Sequence, residues 1–328
     1  MLNLASKFIP TTLSARIASF IVTLAVLVLY FLGVRLLDLL ELKTYDMRLL
    51  SAREQLTASD VAIAAIDEKS LNELGRWPWS RHVIARIVDR LDKAGADVIA
   101  FDVFFSEAEN RQVLERIERL ETEGGYSAKT SPYTSIKQAL ATDSTLSQTI
   151  ARRHKIILSM VFLMSEDETR HLSAAEVKRA LASVKNQAIS LIKDSGGGKL
   201  DFPMAEPTGL IVNLPELQSA SHYTGHINSM PDTDGTLRWA PLVMRYQGLF
   251  FPAADVQAVR VHTGAAGLTL HTSEYGIESL SLGERTIATD EYGRALIHYY
   301  GPEKTFPTYA IADILAGRVG AKELKGKI

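Results

Sequence analysis

The chain has 328 residues, 46% hydrophobic and 23% charged, a globular balance with length enough for one large domain or two ordinary ones. A formal net charge of −2 leaves no electrostatic footprint for a nucleic-acid partner. The absence of cysteine excludes a disulfide framework, a thiol nucleophile and a cysteine-ligated metal site, and it fits an extracytoplasmic protein.

The first long feature is "IASFIVTLAVLVLYFLGV", Ile17 to Val34, which carries no charge. As a helix it spans about 27 Å, close to the hydrocarbon thickness of a bilayer. Leu36 and Leu37 lengthen it if Arg35 snorkels to the head groups. A cleaved signal peptide would have a shorter apolar region and a small-residue cleavage site, and none is evident. A buried core helix rarely begins a chain behind a basic leader. The expectation is a membrane helix over residues 15–37 after a cytoplasmic leader, 1–14. Lys7 and Arg16 stand before the span without an acidic residue, whereas Arg35, Lys43 and Arg48 are mixed with Asp38, Glu41 and Asp46 after it. That charge pattern puts the N-terminus inside and residues 38–328 outside the cytoplasm.

Leu36 to Leu50 keeps a helical rhythm, with Leu36, Leu39, Leu40, Met47 and Leu50 mostly on one side. It reads as a stalk within a linker over residues 38–59, ending in the polar break "SAREQLTAS". The globular part begins near Asp60. "VAIAAID" is a short apolar run and reads as a buried strand ending at Asp67. "EKSLNELG" is a short helix with Ser70 and Glu73 at capping-box spacing and Gly75 as its stop. The connector "GRWPWSR" holds two of the three tryptophans, and Ser80 caps the amphipathic helix "RHVIARIVDRLDKAG". "DVIAFDVFF" is a second buried strand. Strand, helix and strand make a βαβ unit with parallel strands and a right-handed crossover.

Residues 107–155 read as helical and charged, broken by a loop at "EGGYSAKTSP". "KIILSMVFLM" is a third buried strand. "SAAEVKRALASVKNQAISLIK" reads as one amphipathic helix with a Ser173–Glu176 capping box and a stripe from Val177 to Leu191. After the break "DSGGGK" the character turns to β: "GLIVNL", "GHINSM", "TLRWAPLVMRY", "GLTLHT", "SLSLG" and "ALIHYY". Helices near Pro252–His262 and Tyr309–Gly317 interrupt it. The fold class is α/β: an N-terminal transmembrane helix and stalk, then one mixed sheet with a βαβ start, flanking helices and a β-rich C-terminal half.

Chemistry is sparse. Asp67 and Asp102 end the first two strands, and ligands in open α/β sheets bind outside the carboxyl ends of parallel strands. Asp67, Asp102, Arg76 and Arg81 therefore define a candidate crevice beside Trp77 and Trp79. The alternative is that the aspartates cap loops and pair with the arginines. The Trp-Pro-Trp connector is stiff, since proline fixes its own φ and restricts Trp77. It serves either as a lid over a sheet edge or as a pocket wall. "PDTDG" has part of a calcium-loop pattern, but Asp234-Gly235 reads better as a hairpin turn. His222 and His226 have zinc-like spacing only on a helix, and glycine and the flanking strands argue against one. No phosphate loop, nucleophile elbow or Ser/His/Asp set is present, so the expectation is no catalytic residue, no metal and no cofactor in this chain.

Three blocks then resemble one family in order. They are "VAIAAIDEKSLNELGRWPWSRHVIARIVDRLDKAGADVIAFDVFF", "GHINSMPDTDGTLRWAPLVMRY" and "YYGPEKTFPTYAIADILAG". They resemble the type-two CHASE domain, a sensory extracellular domain associated with cyclases and histidine kinases. The resemblance is carried by Asp67, Ser70, Gly75-Arg76-Trp77-Pro78-Trp79, Arg81 and Asp102 in the first block. Gly225-His226, Asn228, Asp232, Asp234-Gly235, Arg238 and Pro241 carry it in the second, and Tyr300-Gly301-Pro302 and Phe306 in the third. It spans most of residues 60–328.

The resemblance implies a periplasmic sensory input domain in a bacterial inner membrane protein. Its output would be an adenylate or guanylate cyclase, less often a histidine kinase, a diguanylate cyclase or a serine/threonine kinase. It implies the membrane, an extracytoplasmic ligand or protein and a second copy of the chain as partners. Asn228, Asp232 and Asp234 join Asp67, Arg76, Trp77, Trp79, Arg81 and Asp102 as candidate ligand-binding residues. The chain ends at "LKGKI", where the family enters another strand and further spans, so the resemblance implies a C-terminally incomplete domain whose last sheet element lacks a partner. Two readings from other classes are a membrane-anchored periplasmic enzyme using Asp67 and Asp102, and a partner-binding module using the tryptophan loop.

Overall fold

The computed structural model describes residues 13–31, 35–51, 60–127, 130–197, 202, 204 and 206–328. The leader through residue 12, the polar break over 52–59 and Gly198-Lys199 of "DSGGGK" lie outside the described residues. The chain divides into two compact units, the first comprising Met1–Gln55 with His298–Tyr300 and the second the remainder.

In the first unit, α1 (Leu13–Phe31) and α2 (Arg35–Ser51) are helices over the region read as membrane helix and stalk. The described apolar side chains of α1 are exposed around its whole circumference, among them Ile17, Phe20, Ile21, Val22, Leu24, Val28 and Phe31. Among the described residues no helix is long and apolar enough to cross a membrane. In α2, Leu39, Leu40, Met47 and Leu50 are exposed.

The second unit opens with β1 (Ile63–Ala65) and α3 (Glu68–Leu74). Asp67, not Ser70, is the N-cap of α3: its side chain accepts the Ser70 amide at 2.8 Å. Ser70 is fully buried and its Oγ accepts from the Ala312 amide instead. Ser80 caps α4 (Arg81–Lys93) as expected. There Ile84, Ile87, Val88 and Leu91 fall on one face and bury. β2 (Ile99–Ala100) follows.

The charged middle folds as α5 (Arg111–Glu123), α6 (Thr134–Leu140) and α7 (Thr142–Ala151). β3 (Ile156–Leu163) is buried along nearly its whole length, which explains its unbroken apolar sequence. A short helix, α8 (Glu166–Thr169), leads to α9 (Ala174–Val184), which carries the expected Ser173–Glu176 capping box. The expected single helix through Lys193 ends early. A 3₁₀ turn follows at Lys185–Gln187, then β4 (Leu191–Asp194), which pairs parallel to β10 (Leu268–Ser273). Leu191 and Ile192 fit that pleated ladder.

The sheets are several, not one. β3 pairs parallel with β2 and with β6 (Tyr223–His226), and antiparallel with β5 (Gly209–Ile211). Between β5 and β6 lies α10 (Pro215–Ala220). β7 (Trp239–Pro241) pairs with β13 (Arg294–Leu296), and β8 (Val243–Tyr246) with β9 (Leu249–Pro252). α11 (Ala254–Thr263) precedes β10, which continues antiparallel into β11 (Gly276–Leu282) and β12 (Arg285–Ala288). β14 (Thr308–Ala310) pairs parallel with β1, and α12 (Ile311–Leu315) and α13 (Ala321–Leu324) close the chain.

β1 and β2 are not partners of each other, contrary to the simple βαβ expectation. Gly326–Ile328 lies between them in the parallel sense. The Ile328 amide donates to Asp60 O at 2.7 Å, and Ala62 N donates to Ile328 O at 2.8 Å. On the other side, Gly326 N donates to Gly95 O and Asp97 N to Lys327 O, both at 2.8 Å. The last sheet element, expected to lack a partner, is thus held on both flanks. The principal core joins Trp79, α4, Phe105, α7, the start of β3 and α12. A second core packs α11 and Phe250 onto the sheet of β10 and β11.

Candidate functional site

The nine residues singled out from sequence do not gather at one place. Asp67 is consumed as a helix cap, and the hydrogen bonds from Ser70 hold its carboxyl below the usual carboxylate range. Arg76 is exposed. Trp79 is 5% exposed, and its Nε1–H donates to Gly75 O at 2.8 Å. Trp77 meets it edge to face at 5.4 Å. Trp79 is therefore part of the principal core and Trp77 packs against it, with a cis Trp77–Pro78 peptide between them.

Arg81 does not face Asp67 or Asp102. Its Nε–H donates to Asp143 Oδ1 at 3.1 Å and an Nη2–H to Glu107 O at 3.0 Å. The guanidinium lies 4.5 Å from the Phe105 ring centroid, and the Arg81 amide donates to Glu109 Oε2. These contacts tie the start of α4 to the loop after β2.

Asp232 and Asp234 are occupied by Arg238. Its Nη1–H donates to Asp232 Oδ2 and Asp234 Oδ1, each at 2.9 Å, and its Nη2–H to Asp234 Oδ2 at 2.8 Å. Arg238 is 2% exposed, so the partial calcium pattern is an internal arginine clamp. Asp232 to Gly235 does form a turn, with Gly235 at φ 79°, but no hairpin: the preceding β6 and the following β7 enter different sheets. Among the described residues, no three His, Cys, Asp or Glu side chains could hold a metal ion together.

Asp102 and Asn228 do come together, at a crevice of about 400 Å³. Asp102 follows β2, and Asn228 follows β6. Asn228 fixes its loop to β3: its Nδ2–H donates to Phe162 O at 2.8 Å and its Oδ1 accepts from Phe162 N at 2.9 Å. The crevice lies at the carboxyl ends of these parallel strands, where the rule for open α/β sheets places ligands. Its other walls come from Leu237, Trp239, Ala240, Pro241, the start of α11, Val61 and Ile328. Gly225 allows α11 to approach: a Cβ there would stand 2.5 Å from Ala254 N.

Sequence reasoning missed His226 as a wall of this crevice. It is 1% exposed, and burial pushes its imidazole down to about 3. Neither ring nitrogen has a hydrogen-bond partner. The available signal was a histidine inside an apolar strand next to glycine. His222 instead stacks on His154, with ring centroids 5.4 Å apart.

Compared with known protein families, residues 21–328 match the family described as CHASE2 domain. No curated protein and no solved structure matches the chain.

Proposed function

The chain belongs to the CHASE2 family, a sensory, extracellular type of domain, and we propose that it is the extracytoplasmic input region of a bacterial membrane signalling protein whose cytoplasmic output is an adenylate or guanylate cyclase. The family match over residues 21–328 carries the reading. α1 is the proposed anchor, with the N-terminus in the cytoplasm. Its support is the uncharged run Ile17–Val34 and the exposure of apolar side chains on every side of the helix, the pattern of a helix solvated by lipid.

The proposed route for the signal is α2. Leu39, Leu40, Met47 and Leu50 leave it an exposed apolar stripe, which a second copy of the stalk would bury in a homodimer. A ligand shifts such an assembly only by its differential affinity for two packings. The periplasmic-enzyme reading loses its support, since Asp67 is engaged as a cap and is not among the residues lining the crevice that holds Asp102. The test is to scramble the stripe in the full signalling protein and measure cyclic-nucleotide production. Altered regulation is expected; unchanged output counts against this route.

A further inference from the structure

The amino-terminal edge of the central strands carries a side-chain pair with no role so far. His154 precedes β3, and His222 precedes β6, the strand that pairs parallel with it. Nδ1 of His154 stands 3.4 Å from Nε2 of His222 with the ring centroids 5.4 Å apart, so the two imidazoles present these nitrogens to each other. That separation is longer than an ordinary hydrogen bond from an N–H donor. Among the described residues neither nitrogen has a second hydrogen-bond partner. Both side chains are exposed. The backbone beneath them is fixed: Ser221 Oγ donates to Ile156 O at 2.8 Å, and Gln187 Nε2 donates to His222 O at 3.2 Å. Gly326–Ile328 runs in the same sense as β2 and β3 and so points away from this edge.

A metal ion fits between the two rings. With bonds of about 2.05 Å, the length for zinc and imidazole, two nitrogens 3.4 Å apart subtend about 112° at the ion, close to tetrahedral. Imidazole suits zinc, copper and nickel ions, whereas calcium and magnesium take oxygen ligands. The basic residues beside His154 have their own counter-ions: Asp89 and Asp92 hold Arg153, and Asp97 holds Lys155. Asp92 and Asp97 also line a cleft of about 360 Å³ that His154 borders. We propose that His154 and His222 form an exposed two-histidine site for a divalent transition-metal ion of the zinc class, its remaining positions open to water or to a ligand group from a further molecule. This inference goes beyond the sensory reading and does not rest on it.

The test titrates the purified, untagged 328-residue chain in detergent with zinc chloride, read by calorimetry. One Zn²⁺ per chain is expected, and excess Ca²⁺ should not compete. His154→Gln and His222→Gln should each weaken that binding at least about ten-fold, since even the loss of a group that only supports a ligand costs that much. The double variant should bind little worse than either single one, because each substitution alone ends the chelation. His82→Gln, at an exposed histidine on α4, should leave the affinity unchanged. A readout that needs no variant is carbethoxylation by diethyl pyrocarbonate: Zn²⁺ should shield His154 and His222 in the wild-type chain and leave His82 reactive. No stoichiometric uptake, uptake that survives loss of either histidine, an equal loss with His82→Gln, competition by Ca²⁺, or absence of selective shielding overturns the site.

Discussion

Arg238 spans Asp232 and Asp234, with one Nη1 donating to both carboxylates at 2.9 Å and Nη2 closing a second bond to Asp234 at 2.8 Å. The turn and the strand that follows it are thereby locked as one piece beside the crevice. Removing the cation leaves two largely buried carboxylates facing each other. Arg238→Ala should cost about 3–5 kcal/mol in urea unfolding. Calcium should not raise Tm in the wild-type chain, since the carboxylate oxygens already have their counter-ion.

Gly225 sits where β6 meets the start of α11, with room for a hydrogen and no more. Gly225→Ala forces backbone against backbone and should cost about 1–3 kcal/mol, the usual range for overpacking. Gly235→Ala, which meets nothing within 4 Å but has φ 79°, should cost less. Paired urea melts of the two variants check the order.

The two tryptophans of the connector should separate by burial. Trp79 is in the core, and Trp79→Ala should cost about 3–5 kcal/mol. Trp77 is only partly buried against that core, so Trp77→Ala should cost clearly less.

Burial of His226 sets a pH window. Its folded pKa, about 3, lies below the ordinary value of 6.5, so above pH 6.5 neither state takes up its proton. As pH falls below 6.5 the unfolded chain binds that proton and the folded chain does not. Stability then falls by about 1.4 kcal/mol per unit until the folded pKa is reached. Between pH 6.5 and 5 the loss from this residue is about 2 kcal/mol. His226→Phe should flatten that part of the stability profile, measured by urea melts at a series of pH values.

Local rules were legible where a single residue or a short period decides the outcome. Ser80 and Ser173 cap their helices, β3 buries along its apolar run, and α4 follows its three-four spacing. Non-local choices were not. Residues 191–193 continue a helical pattern but join a parallel ladder with β10, a partner about 80 residues away. Asp67 and Asp102 both follow strands, yet Gly326–Ile328 comes between those strands and separates the two acids. Asp232 and Asp234 look like ligands until Arg238, four residues on, turns back to meet them. His226 stands four residues from His222, yet the two rings pack on different partners, Phe162 and His154.

As a sensory domain, the second unit should face the outside of the cell. The cysteine-free chain allows a direct measurement: Tyr275→Cys, at a side chain 77% exposed, and Lys7→Cys in the leader, each treated in intact cells with a membrane-impermeant maleimide. Labelling of the Tyr275→Cys chain in intact cells, with the Lys7→Cys chain labelled only after permeabilisation, is the predicted result. Protection of Tyr275→Cys until the cells are opened would contradict an extracytoplasmic sensor.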